Sequence, residues 1–391
     1  MKKNAIALAA AAAVAATLAS PSFAADKVKI GYVTTLTTGA AVLGRDMKDA
    51  FDLGMDHIGG KMGGLDVEVI YEDDGFKPDI GKQKTDKLVQ KDRVDFVAGY
   101  IWSHVLLASY KSVVGKGPIL VSSNAGPSPI AGKLCHKDFF SASWQNDQTP
   151  MAMGEALNKR GVKSIYVIAP NYAAGKDMVK GVTRTYKGEI LGRDMTKWPG
   201  QLDFSAELAK ARAANPEAIF AFYPGKAGVQ FMKQFEQSGL KGKIPLYTVF
   251  TVDGISLPRL KDLAVGSLAT QTWVPDLDNA MNKKFVADFE KKYGRTPSFY
   301  AAQAYDTVYL IKAAVEGAKG NLKDKAAMRA AITSGNWDTT RGKLKYGNNN
   351  FPIQNIYLRQ AVKDGEAYKL KTVSTVYTGH QDSYAGSCKM K

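Results

Sequence analysis

Ser103, set between Trp102 and His104, is the residue of this chain whose surroundings point most directly to chemistry. It follows the apolar run 95–100 and precedes Val105-Leu106-Leu107-Ala108, so residues 94–109 read as a short buried strand, a turn and the start of a helix. Such a junction puts free backbone N–H groups, the positive end of a helix dipole and a serine hydroxyl at the carboxyl end of a strand. Together they make a seat for an anion. Open α/β sheets bind ligands outside the carboxyl ends of their strands. The same residues also describe a serine capping an ordinary helix, and the rest of the chain must choose between the two.

Catalysis finds little support. Ser103 and His104 are adjacent, so their side chains point in different directions and do not form a nucleophile–base pair. The other histidines, His57, His136 and His380, are scattered. No Gly-rich dinucleotide loop, phosphate loop, H-E-x-x-H or G-x-S-x-G occurs. Glu72-Asp73-Asp74 resembles a metal site less than an acidic loop capping a helix. We therefore expect no catalytic residue, metal or cofactor; an exported hydrolase acting through Ser103 is the enzymatic alternative.

The amino terminus reads as a secretory signal. Lys2 and Lys3 form its basic region, residues 5–18 its apolar core, and Ser22-Phe23-Ala24 its cleavage site. Removal of 24 from 391 residues leaves 367, enough for two domains. Composition is that of a globular protein, with 45% hydrophobic and 23% charged residues. Net charge is +16, or +14 without Lys2 and Lys3, but the lysines are mixed with acids (Lys82, Lys84, Asp86, Lys87). With no aromatic-interleaved basic stripe, a nucleic-acid partner is not expected. In an oxidising compartment Cys135 and Cys388 are expected to form one disulfide, stapling the C-terminal tail to the body.

The elements that must position Ser103 alternate between strand and helix. Residues 27–33 read as a strand, 34–44 as a Gly/Thr-rich loop, 45–58 as a helix, 67–71 as a strand and 79–90 as a helix. Strand 119–121 then runs into Ser122-Ser123-Asn124-Ala125-Gly126-Pro127. The loops at 102–103 and 122–126 follow successive strands and should share one edge of a doubly wound parallel sheet. After residue 144 the pattern restarts, with strands at 164–169, 218–223, 246–249 and 267–273 alternating with helices. Helices at 278–293, 298–317 and 325–334 follow without strands between them, as if the chain returned to cover the first sheet. Short β-like pieces at 343–346, 356–362 and 368–376 end the chain. Two α/β lobes joined by more than one crossover make a hinge with a cleft.

Several motifs recur together: Gly31, Leu36-Thr37-Thr38-Gly39, Gly44, Tyr71-Glu72-Asp73-Asp74, Tyr100-Ile101-Trp102-Ser103 and residues 122–127. They are followed by Asn171-Tyr172-Ala173-Ala174-Gly175-Lys176-Asp177, Tyr223-Pro224-Gly225 and Ala304-Tyr305-Asp306. In that order and spacing the chain resembles ABC-transporter solute-binding proteins of the leucine/isoleucine/valine-binding type, over nearly all of residues 26–375. The resemblance implies a type I periplasmic binding protein, α/β, with two doubly wound parallel-sheet lobes and a three-crossing hinge. Lobe 1 is expected at 25–143 and 274–346, lobe 2 with the C-terminal tail at 144–273 and 347–391. It further implies a periplasmic monomer that hands a small-molecule ligand to an inner-membrane ABC permease. A periplasmic sensor module is the alternative of another class.

By the same resemblance, the ligand carboxylate is held at Ser103 and neighbouring N–H groups, with Trp102 and His104 beside it. Asn124-Ala125-Gly126 supplies a second loop, Tyr172 closes from the second lobe, and an acid near Phe250 takes an ammonium. This sequence departs from that pattern: the position of a threonine hydroxyl is Gly126, and the ammonium acid is replaced by Phe250, leaving Asp253 as the candidate. A buried ammonium without acceptors is costly. Trp102, Tyr172, Tyr223, Phe250 and Trp273 crowd the loops expected at the cleft, so the expected ligand is a carboxylate with an aromatic body, similar to benzoate, cinnamate or an aryl 2-oxo acid. Arg45 is a candidate second carboxylate contact. A branched-chain or other amino acid is the alternative ligand.

Overall fold

The computed structural model describes residues 27–390, so the leader read at residues 1–24 lies outside the described residues. Short apolar runs form the strands of two sheets, as expected for strands covered on both faces. The first sheet holds β1 (Val28–Thr34), β2 (Lys61–Met62), β3 (Leu65–Asp73), β4 (Phe96–Gly99), β5 (Ile119–Ser122) and β6 (Phe139–Ser141). Its order is β2-β3-β1-β4-β5-β6, parallel except for the small β2–β3 hairpin. The second holds β7 (Ser164–Pro170), β8 (Glu189–Thr196), β9 (Ala218–Ala221), β10 (Leu246–Thr248) and β11 (Leu268–Gln271). To these are added β12 (Lys345–Tyr346), β13 (Pro352–Asp364) and β14 (Ala367–His380), in the order β12-β13-β11-β10-β9-β7-β8 with β14 on β13.

In the first sheet the strand order reverses at β1, and in the second at β7. A doubly wound sheet opens a crevice at such a point, beyond the carboxyl ends of the two strands that flank it. Those ends are Thr35 and Tyr100–Trp102 in one lobe, and Asn171–Tyr172 and Phe222–Pro224 in the other. Each crevice depends on a glycine. A side chain on Gly99 (φ 105°) would bring its Cβ within 2.2 Å of the Val33 carbonyl oxygen, and one on Gly175 within 1.8 Å of that of Pro170.

The chain crosses between lobes three times: between β6 and the helix Gln148–Lys159, between β11 and the helix Ala280–Tyr293, and between the helix Lys325–Thr333 and β13. The helix Phe299–Gly317 returns to the first lobe and packs along Ala41–His57. Arg341, buried with Asp306, clamps the crossings. Its guanidinium pairs with Asp306 Oδ2 at 3.0 Å, donates to the Ser143 carbonyl at 2.9 Å and to Gln354 Oε1 at 2.6 Å, and also reaches the Ala142 carbonyl.

Three elements differ from the sequence reading. The first helix starts at Ala41 rather than 45, because Gly44 seats that turn against the Thr35 carbonyl, where a Cβ would sit at 1.9 Å. Glu72 and Asp73 lie in β3 rather than in a loop. They cap no helix; Asp73 accepts from the Leu36 and Gly75 N–H groups and from the Thr37 hydroxyl, fixing the loop after β1. The late β pieces are one long antiparallel hairpin, β13–β14, which extends the second sheet through β11. Much of β14 is exposed, so no apolar alternation announced its length. Cys135 and Cys388 form the expected disulfide.

Candidate ligand-binding site

β4 ends in a kink: Tyr100 takes a left-handed backbone (φ 64°), uncommon for a residue with a bulky side chain. The chain then enters the helix Ser103–Val113 with Trp102 at the N-cap, a residue that gives no side-chain cap. Ser103 is thus not the cap but the first helical residue. Its Oγ accepts from Asn146 Nδ2 at 3.0 Å. The first helical backbone bond at this end runs from the Leu106 N–H to the Trp102 carbonyl, so the N–H groups before Leu106 have no helical acceptor.

The second lobe repeats the arrangement. β7 ends at Pro170, and the helix Ala173–Thr185 starts behind Tyr172, again an N-cap without a side-chain cap. Ser103 and Ala174, at these two helix starts, line the same cavity. Two positive dipole ends therefore approach one small volume from opposite lobes.

The cavity, small in this closed arrangement, is walled by Ile101 and Trp102 of the first lobe and Trp144 and Asn146 of the first crossing, facing Tyr172, Phe222 and Phe250 of the second. Tyr300 closes it from the helix Phe299–Gly317. Trp144 stacks on Phe250 with ring centres 4.8 Å apart, and Tyr172 on Trp198 at 5.0 Å. Phe250, after β10, is a second non-glycine residue in the left-handed region (φ 56°). Such conformations persist where surrounding structure holds them and cluster at ligand sites.

The rings are fixed from behind. Trp102 Nε1–H donates to Thr35 Oγ1 at 2.8 Å, and the Thr35 hydroxyl donates to Asp74 Oδ1 at 2.6 Å. Asn124 Nδ2 donates to the Ile101 carbonyl at 2.7 Å, and the Ala125 N–H donates to the Tyr100 carbonyl at 3.0 Å, which joins the two loops expected to share an edge. The lobes also meet directly. Asp177 accepts from Ser128 N–H at 3.0 Å, from Ser128 Oγ at 2.7 Å and from Asn146 at 3.0 Å. Burial raises the pKa of its carboxyl, a tendency these hydrogen bonds oppose.

Trp102, Ser103, Asn124, Ala125, Tyr172 and Phe250 thus all line the cavity. His104 stands at its edge, its ring 5.4 Å from that of Tyr172. Burial pushes its pKa down to about 4, so it is neutral.

Four residues read as site residues lie elsewhere. The Tyr223 side chain is in the core of the second lobe, its hydroxyl 2.7 Å from that of Thr196; Phe222, one position earlier on the opposite side of the strand, lines the cavity instead. Gly126 is enclosed against the Trp144 carbonyl and spends its N–H on Asn146 Oδ1 at 3.2 Å. Arg45 faces a separate wide groove between the lobes, which Trp273 also lines. Asp253 is buried outside the cavity wall, its Oδ1 accepting from the Ile255 and Ser256 N–H groups. Burial raises its pKa to about 6 against those bonds.

Trp144, Asn146, Met178, Phe222 and Tyr300 escaped the sequence reading. Trp144 and Asn146 belong to a crossing and Tyr300 to a helix far along the chain, so no local pattern marks them. Phe222 was within reach, through the strand phase of 218–223.

Two doubly wound lobes meeting over a cavity at both switch points, with two uncapped helix starts and a wall of rings, have the architecture of a protein that encloses a small solute. The chain belongs to the periplasmic binding protein family, whose model matches residues 27–366. It is 30% identical over 371 residues to Leu/Ile/Val-binding protein homolog 6 of Brucella melitensis, covering 92% of this chain and 94% of that one. Among solved structures it is similar to an ABC-transporter solute-binding protein of R. palustris in complex with benzoate, with a TM-score of 0.88 and 29% identity over 93% of this chain and all of that one. A second, from Rhodopseudomonas palustris BisB5 in complex with 3,4-dihydroxybenzoic acid, has a TM-score of 0.84 and 27% identity, covering 91% of this chain and 99% of that one. The chain is accordingly a solute-binding protein of the kind that serves ABC transporters.

Proposed function

We propose that this protein is exported behind residues 1–24 and closes its two lobes, divided at about the boundaries read from the sequence, on a small carboxylate with an aromatic body. It then delivers that solute, as a monomer, to an ABC permease of the inner membrane. The observation that carries the ligand class is the make-up of the cavity wall: six aromatic rings, two helix starts that favour an anion, and no acidic side chain. An amino acid would bring an ammonium that needs acceptors in a buried site. Asp177, next in the chain to the wall residue Met178, has both oxygens engaged by Ser128 and Asn146. The benzoate and dihydroxybenzoate complexes of the two similar proteins support the same class.

A branched-chain amino acid is the second reading. Asp253 Oδ2 is buried without a partner, and the curated relatives carry Leu/Ile/Val-binding names. Mass spectrometry of the solute released when the purified protein is denatured separates the two. An aromatic acid is expected. Leucine, isoleucine or valine, in stoichiometric amount, would overturn the first reading in favour of the second.

A further inference from the structure

Two residues of the cavity wall, Trp144 and Asn124, each carry a buried polar atom without a hydrogen-bond partner. Trp144 is 2% exposed, its ring is held against Phe250, and its Nε1–H has no hydrogen-bond partner. Asn124 is 7% exposed, and the donation of its Nδ2 to the Ile101 carbonyl fixes which end of the amide is which. That leaves Asn124 Oδ1 as a buried acceptor without a donor. Both residues line the cavity, and their segments are tied together, since the Ser143 hydroxyl, next to Trp144 in the chain, donates to the Asn124 carbonyl at 2.8 Å. Buried donors and acceptors in folded proteins are nearly always paired, and leaving one unpaired is costly.

The chemistry of the missing partner follows from the two roles. An indole N–H only donates, and an amide oxygen only accepts. A carboxylate would satisfy Trp144 and repel Asn124 Oδ1; an ammonium would do the reverse. A hydroxyl does both, accepting from the indole through a lone pair and donating its proton to the amide oxygen. Ser103 Oγ differs from these atoms in being already engaged, by Asn146.

We propose that the solute carries a hydroxyl group besides its carboxylate, and that Trp144 Nε1–H and Asn124 Oδ1 are the specificity-determining pair that binds it. This rests on the reading of the cavity as the site of an aromatic carboxylate.

The test is calorimetric titration of the full-length mature protein with benzoate, its three monohydroxy isomers, and the methyl and methoxy analogues of each. One hydroxy isomer is expected to bind about tenfold or more tightly than benzoate, since a site built around a hydroxyl discriminates against its absence. Its methoxy analogue, which can accept but not donate, should lose most of that advantage. In Trp144→Phe and in Asn124→Leu the ratio of affinities, hydroxy isomer to benzoate, should fall towards one, whatever happens to both affinities together. Equal binding of benzoate and all three hydroxy isomers by the wild type would overturn the proposal while leaving the aromatic-acid reading intact. So would a preference that survives both substitutions. If none of these acids binds, the reading of the cavity fails and the hydroxyl pair with it. If a variant does not fold, the wild-type series of hydroxy, methoxy and methyl acids decides alone.

Discussion

At the scale of residues, His104 and Asp253 carry opposite acid–base signatures from the same cause, burial of a charge. His104 has its pKa lowered to about 4. Between that value and the usual 6.5 the unfolded chain holds a proton that the folded chain does not, so this group's contribution is complete above 6.5 and lost as pH falls towards 4. Asp253 has its pKa raised to about 6. Here the folded chain holds the extra proton, and the contribution is complete below the ordinary carboxylate range and lost as pH rises through 6. Relative to wild type, His104→Gln should therefore gain stability as pH falls from 6.5 to 4. Asp253→Asn, which keeps the Oδ1 acceptor, should gain it as pH rises from 4 to 7. Thermal melts at half-unit pH steps check both, and parallel profiles for wild type and variants would contradict them. The readable site residues were those that end a strand or start a helix. Trp102, Ser103, Asn124 and Tyr172 stand at such junctions, where composition and period change together. Tyr223 was misplaced by one position of strand phase. Asp253 could be named as an acid but not placed, since its burial behind the wall depends on contacts between distant segments.

At the scale of elements, the crossings are held by polar groups that apolar periodicity does not reveal. Arg341 is nearly enclosed, and Asp306 fully so. Removing one member of such a pair leaves a buried charge uncompensated, which costs about 3–5 kcal/mol. Arg341→Met is expected to lower unfolding stability by that amount in a urea titration; a loss below about 1 kcal/mol would mean that the crossings are held by packing alone. The alternating α/β pattern of both lobes and the return of the helix Phe299–Gly317 to the first sheet were legible, because each element carries its own hydrophobic period. The β13–β14 hairpin was legible only in fragments. Its outer strand is rich in exposed lysine and threonine, and its place in the second sheet is set by pairing with β11, far earlier in the chain.

At the scale of the whole molecule, the two lobes are held together by three crossings, by the Ser128–Asp177 contact beside the cavity and by the disulfide between Cys135 and Cys388, 253 residues apart. A crosslink closing so long a loop restricts the unfolded chain strongly, and its loss from a domain typically costs about 2–5 kcal/mol. Cys388→Ser should lower the melting temperature under oxidising conditions, and reductant should do the same to wild type. A melting temperature unmoved by either would show that the tail contributes nothing to the body's stability. A solute enclosed between the lobes binds the folded state alone and stabilises it by mass action. The most direct measurement is the melting temperature of the mature protein, freed of solute by unfolding and refolding, against benzoate, hydroxybenzoates, cinnamate, leucine and isoleucine. An enclosing wall of rings without an acidic side chain predicts a rise with the aromatic acids and none with the amino acids; a rise with leucine or isoleucine and none with any aromatic acid would contradict it.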